Sequence, residues 1–348
     1  MTGPAQPPAL AEDPARPAWQ QALWVLVFGA VYVALFHFAV SLPIRAGLAA
    51  CVWPADGLAL AVLLRVSYRQ WPAYVCMILV ANIVGGQLAG YALRLDGFVG
   101  MNAIQPAVAA WLMRRYLHLP ERLDTVRGII AFTLVSTAVT LVISLIGAND
   151  KTLSDGEPYQ VLFGALFVAD MLGILCVGPL VLAWSRESRR HVGAMLSGRS
   201  LEAVLLFAAL IAVANWVFSL APDGRGWVPQ YQHLTIPLLV WAALRFGLRG
   251  ASLALASYAA LAIWETTNGL GPFVAANSDP RSVLLGLQLY LGLVSIMVLL
   301  GAALMTERRD ALADSESWRR RFEAAIEASG NLVFEIDAVV IVTVELRR

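Results

Sequence analysis

An all-α, polytopic transmembrane helical bundle of eight to ten spans is the fold class this sequence predicts, on three observations. Of its 348 residues 59% are hydrophobic and only 14% charged. The mean hydropathy is +0.69, and apolar runs long enough to cross a bilayer recur along most of the chain. Soluble chains carry about 25% charged residues and a helical span takes about 20 apolar ones, so there is room for about ten spans and short loops. That excludes a soluble enzyme. It makes the lipid bilayer, not nucleic acid, the expected partner.

Residues 1–18 are rich in Pro and Ala without apolar periodicity, as in a disordered leader. The stretch 19–42 is too long for the apolar part of a secretory signal and no small-residue cleavage pattern follows it, so it is expected to remain as the first span. Further stretches run approximately over 46–65, 70–92, 97–116, 126–147, 159–185, 200–220, 233–246, 249–268 and 282–306, the eighth being short. Assigning alternate loops to the two sides puts 15 of the 25 basic residues on one face and 5 on the other, with 5 in the C-terminal tail. The positive-inside rule then places both termini in the cytoplasm. Merging the eighth and ninth stretches and treating 46–65 as re-entrant gives eight spans with the same orientation, so charge does not choose between the counts.

A carboxylate at membrane depth costs at least about 2.5–3.5 kcal/mol. Asp56, in Val52-Trp53-Pro54-Ala55-Asp56-Gly57-Leu58, and Asp170, in Phe167-Val168-Ala169-Asp170-Met171-Leu172-Gly173, both fall well inside apolar stretches. Asp56 is expected roughly 15 Å below the outer end of its helix, with Pro54 and Gly57 breaking that helix beside it. Broken helices at mid-bilayer occur where backbone lines a site. Asn82 also falls mid-span, and Asn102 and Gln105, three apart, share a helical face. Gly86 and Gly90 continue the Asn82 face, a surface on which another backbone is expected to pack closely. Asp56, Asn82, Asn102, Gln105 and Asp170 are read as facing one interior cavity. Helix-to-helix bonding worth about 0.6 kcal/mol each is the other reading for Asn82 and Asn102.

Other polar residues read more plainly. Arg245 is expected to snorkel or to serve as a topogenic charge at the inner end of its span, and Glu265 to be solvated. Cys51, Cys76 and Cys176 lie far apart inside apolar runs and are expected as small core residues, and His37 has no partner at helical spacing, so no metal or cofactor is expected. No Gly-x-Ser-x-Gly or phosphate loop occurs. Neither aspartate has the Tyr-Asp or Gly-x-Gly-Asp surroundings of intramembrane aspartyl proteases. No catalytic residue is assigned, and the chain is expected not to be an enzyme.

The ordered series Trp53-Pro54-Ala55-Asp56-Gly57-Leu58, Asn82, Asn102, Leu112-Met113-Arg114-Arg115, Asp170-Met171-Leu172-Gly173, Pro237 to Gly247, Gly269-Leu270-Gly271-Pro272-Phe273, Gln288 and Glu307-Arg308 resembles the first type of membrane-associated sensor domain, over about residues 20–310. The resemblance implies an integral-membrane input module of bacterial sensor histidine kinases and diguanylate cyclases, with about eight spans in the inner membrane. It implies that a signal perceived in or near the membrane passes to a cytoplasmic output domain. It adds Trp53 to the sensing residues and Glu307 and Arg308 to the relay, and names no ligand.

The last apolar stretch runs on into mixed charge, which divides the chain into a sensor over 19–307, a signalling helix over 308–328 and a tail over 329–348. Leu304, Ala311, Trp318 and Ala325 recur every seven residues, fitting a parallel homodimer seam in which Trp318 is the bulky relay position. Arg308 and Ser315 fill the second seam position poorly, so an ordinary amphipathic helix stays open. Residues 321–337 resemble the opening of a PAS domain, but Ala338 to Val344 offers no turn residue and about a hundred residues are needed for that fold. Truncation of a longer product is the preferred expectation, and an input module with a separate partner is the other.

Three functions follow. The first is a non-enzymatic sensory input for a kinase or cyclase. The second is a small-solute or proton-coupled transporter using the same acids. The third is a structural partner that docks another membrane protein through glycine-rich faces.

Overall fold

The computed structural model describes residues 17–42, 50–90, 97–117, 119, 123–155, 158–185, 200–219, 231–276 and 279–328. The leader up to residue 16 and the PAS-like tail over 329–348 lie outside them. Among the described residues every regular element is helical: α1 (Ala18–Ser41), α2 (Pro54–Arg65), α3 (Trp71–Leu88), α4 (Gly97–Leu117), α5 (Val126–Asp155), α6 (Tyr159–Ser185), α7 (Ser200–Phe218), α8 (Ile236–Thr267), α9 (Pro272–Ala276) and α10 (Pro280–Ala328). Short 3-10 turns, Tyr68–Gln70 and Tyr231–Thr235, lead into α3 and α8.

Seven described segments are long and apolar enough to cross a membrane. One of them, Tyr231–Thr267, is a hairpin. Gly247 has φ 60° and ψ −155° inside α8, a backbone that only glycine adopts without strain. A Cβ on Gly250 would lie 3.2 Å from the Ala242 carbonyl oxygen, although eight residues of unbroken helix would separate them by about 12 Å. The Tyr290 hydroxyl joins the far ends of both arms, donating to Gln232 O at 2.8 Å and accepting from the Tyr258 hydroxyl at 3.2 Å. Counting both arms gives eight apolar passages and the less apolar α4 adds a ninth, while α2, twelve residues long and starting within the bundle, covers only part of that distance. The eighth and ninth stretches are thus separate arms, and of the stretch 46–65 the described residues form only the short α2.

One end of the bundle is tied together by arginines on helix carbonyls. Arg65 donates to Ser185 O at 2.8 Å, Arg114 to Leu63 O at 3.3 Å and Val66 O at 2.5 Å, and Arg249 to Ala183 O at 3.1 Å. These carbonyls are the acceptors that α2 and α6 leave without intrahelical donors at their C-termini, where cations are favoured. Arg245, at the same end, faces both oxygens of Glu202 with its Nε at 2.8 and 2.7 Å, and the Trp241 indole N–H bonds the same carboxylate.

The core centres on α2, ten of whose twelve residues are buried, as a helix apolar all round requires. Helices α1, α3, α4 and α6 pack around it. The sequence placed Asp56 deep within a long broken helix. In the structure α2 starts at Pro54, with Ala50 to Trp53 lying outside any helix, so Asp56 sits in the first turn. Pro54 at the first helical position loses no hydrogen bond and fixes φ. Close backbone approach also falls elsewhere than expected. A Cβ added at Gly86 or Gly90 would meet no atom within 4 Å, and Gly90 lies in a turn at φ 82°. A Cβ on Gly57 would instead strike the Gly173 carbonyl, and one on Gly173 the Trp53 carbonyl.

Helix α10 has 49 residues, about 73 Å at 1.5 Å each, against a hydrocarbon core of about 30 Å. Its last third stands clear of the bundle, with Leu312, Trp318 and Phe322 exposed.

Candidate functional site

The polar residues of five helices meet beside the start of α2. Gln105 on α4 donates from Nε2 to Asp56 Oδ2 at 2.9 Å and to Thr140 Oγ1 on α5 at 3.3 Å. One turn outward on α4, Asn102 donates to Asn82 Oδ1 on α3 at 2.9 Å, and Asn82 donates in turn to the Tyr32 hydroxyl on α1 at 3.0 Å and to Ile78 O at 2.9 Å. Asp56, Asn82, Asn102 and Gln105 are all buried. The three-residue spacing of Asn102 and Gln105 thus does what a shared face allows, with each amide reaching a different neighbouring helix. Pro106, inside α4, has no N–H, so the Asn102 carbonyl lacks its intrahelical donor.

Asp170 on α6 is partly buried. Its carboxyl lies within electrostatic reach of Asp56 and beside the Gln105 amide. The register that puts it there is fixed by backbone: Trp53 N–H donates to Ala169 O at 3.0 Å, and Gly57 and Gly173 let α2 and α6 touch. Trp53 itself is buried, its ring 5.0 Å from that of Phe36 and edge-on to it.

The network is not saturated. Asp56 Oδ1 and Trp53 Nε1 are buried without a hydrogen-bond partner, as are Ser136 Oγ and Ser144 Oγ, which flank Thr140 at four-residue steps on α5. A buried polar atom without a partner costs about 1–3 kcal/mol, so these atoms mark where a proton, water or small polar ligand gains bonds. No basic group among the described residues bonds either acid. No group of three metal-ligating side chains occurs among the described residues.

The six sequence-selected residues lie around the start of α2 and bond in two groups, Gln105 with Asp56 and Thr140, and Asn102 with Asn82 and Tyr32; the sequence did not select Tyr32, Thr140, or the Ser136 and Ser144 that flank Thr140. Three of these four share one face of α5 at four-residue intervals, a periodicity visible in the sequence. Tyr32 gives no such signal, being one aromatic in an apolar run.

The relay residues separate. Glu307 Oε1 accepts the Val126 N–H at 3.0 Å, capping α5. Arg309, which the sequence did not single out, donates to Leu244 O and Arg245 O at the end of the first arm of α8. Arg308 is exposed, and Trp318 is 70% exposed with no ring partner among the described residues. His37 is exposed on α1 and Glu265 half-buried. Cys51 and Cys176 are buried and Cys76 is exposed.

A helical membrane bundle with a buried acid-amide cluster and a long projecting last helix defines a class of integral-membrane protein built around an interior polar site. The family is identified by sequence: the MASE1 family model matches residues 23–309, and the chain belongs to this family of membrane-associated sensor domains. The match takes in the whole polar cluster together with Glu307, Arg308 and Arg309, and stops before Trp318. No curated protein and no solved structure matches the chain.

Proposed function

We propose that this protein is a sensory input module in which a signal acting at the Asp56–Gln105–Asp170 cluster biases the packing of α5 and α10. Helix α10 carries that bias to a cytoplasmic output domain of the histidine kinase or diguanylate cyclase class. The module works in the bacterial inner membrane as a homodimer, with its arginine-rich end and both termini in the cytoplasm. It performs no chemistry itself.

The observation that carries this reading is the double attachment of α5. Thr140 touches the site through Gln105, and Val126, about 21 Å away along the same helix, is capped by Glu307 of α10. A rigid element biased at both ends is what coupling requires, provided the signal favours one arrangement differentially. The test fuses residues 1–328 to a complete kinase output. Asp56→Asn and Asp170→Asn are expected to shift basal kinase activity, while Glu307→Ala uncouples output from either. Unchanged activity in all three fusions would overturn the relay.

A proton-coupled transporter is the second reading, favoured by a helix that begins within the bundle beside an acid. Proteoliposomes under a pH gradient separate the two, since a sensor moves no solute.

A further inference from the structure

A groove of about 500 Å³ lies between the N-terminal halves of α1 and α3, at the arginine-rich end of the bundle. Its mouth is formed by Arg69, Gln70 and Gln21, and its walls by Val25, Leu26 and Ala73. That volume is in the range of small-molecule sites, and the lining is cationic and amide-bearing at Arg69, Gln70 and Gln21 and otherwise alanine, valine and leucine with the ring of Tyr74. The groove shares no lining residue with the polar cluster.

Charge identifies what fits. On this end of the bundle Arg65, Arg114, Arg249 and Arg309 spend their guanidinium groups on helix carbonyls and Arg245 on Glu202. Arg69 is exposed and bonds no described residue. Among the described residues no acidic side chain lines the groove, and neither α1 nor α3 has an acid in its first turn or a side-chain cap on its first amides. An anionic group is thus the complement of the mouth, and an alkyl chain that of the walls.

We infer that the groove between α1 and α3 binds an anionic glycerophospholipid of the surrounding leaflet, its phosphate against Arg69 and Gln70 and one acyl chain along Val25, Leu26 and Ala73. Basic pockets between membrane helices select such headgroups. A zwitterionic lipid offers the same chain with a cation that Arg69 repels.

The full chain, reconstituted in equal parts phosphatidylglycerol and phosphatidylethanolamine and then extracted in mild detergent, is assayed by native mass spectrometry for retained lipid. The wild type is expected to retain phosphatidylglycerol in preference, and washing with inorganic phosphate should not remove it. Arg69→Ala should lower that preference about fivefold, the effect of one basic residue on an anionic lipid, and Arg69→Lys should keep most of it. Ala73→Phe, which fills the groove at an exposed position and leaves the charge, should also reduce retention. Equal retention of the two lipids by the wild type, as when another segment of the chain occupies the groove, overturns the assignment. So does a preference unchanged in both Arg69→Ala and Ala73→Phe.

Discussion

Asp56 is held by a single amide, and the consequences of that economy can be measured. Gln105→Leu leaves Asp56 Oδ2 buried without its donor, and stability in detergent, followed by intrinsic tryptophan fluorescence on heating, should fall by about 1–3 kcal/mol. The glycines give an opposed pair. Gly57→Ala forces a methyl onto the Gly173 carbonyl and should destabilise by about 1–3 kcal/mol or more. Gly86→Ala meets open space in a helix and should be neutral or stabilising by up to about 1 kcal/mol. Equal melting temperatures for the two variants would contradict the contact between α2 and α6. At the other end of the molecule Asp279 caps α10, accepting from the Ser282 hydroxyl at 2.8 Å and its N–H at 3.1 Å. Those bonds hold its carboxyl below the usual carboxylate range. The cap therefore contributes fully above about pH 4 and is lost as pH falls through the lowered value. The difference in melting temperature between wild type and Asp279→Ala should accordingly shrink as the medium is acidified.

Among the elements, α5 and α10 carry the mechanical argument. Glu307 supplies a carboxylate to the positive end of α5, and Arg309 a guanidinium to the carbonyl end of the first arm of α8, so the exit of α10 is matched to both helix dipoles. Glu307→Ala should cost about 0.5–2 kcal/mol, the value of a lost N-terminal cap. Hydrogen exchange should report it as faster exchange at the Val126 amide, with the amides around Thr140 unchanged. The hairpin at Gly247 depends on positive φ. The sequence showed this as a short apolar stretch, 233–246, and a longer one, 249–268, with Gly247 and Leu248 between them, and left their merging open; the positive φ of Gly247 decides the reversal. Where α2 begins was less legible. Pro54 signals either a kink or a helix start, and only the packing of α6 against Trp53 selects the start.

At the scale of the whole molecule, the N-terminus of α1 and the exit of α10 both lie at the arginine-rich end. In a background without the three native cysteines, Asn268→Cys should react with an impermeant thiol reagent on intact spheroplasts, and Ser67→Cys only after permeabilisation. The reverse pattern would invert the proposed orientation. Helix α10 exposes Leu304 and, on its projecting third, Trp318 on the heptad row that includes Ala311, and a homodimer through this row predicts disulfide formation by Ala311→Cys in membranes. Cross-linking at Leu312→Cys, one position off the row, should be weaker.

Composition and hydropathy alone determined that this chain is a helical membrane protein, because a bilayer admits helices only when they satisfy their own backbone and present apolar side chains. The cost of burying a carboxylate likewise singled out Asp56 and Asp170 from the sequence. What only the tertiary structure decided is partnership: that Gln105 reaches Asp56 while Asn102, one turn away, reaches Asn82, that Thr140 and Tyr32 complete the cluster, and that Glu307 and Arg309 rather than Arg308 pin the last helix. Helical periodicity fixes which residues share a face, but the rotation and depth of one helix against another are set by side-chain packing between segments far apart in sequence.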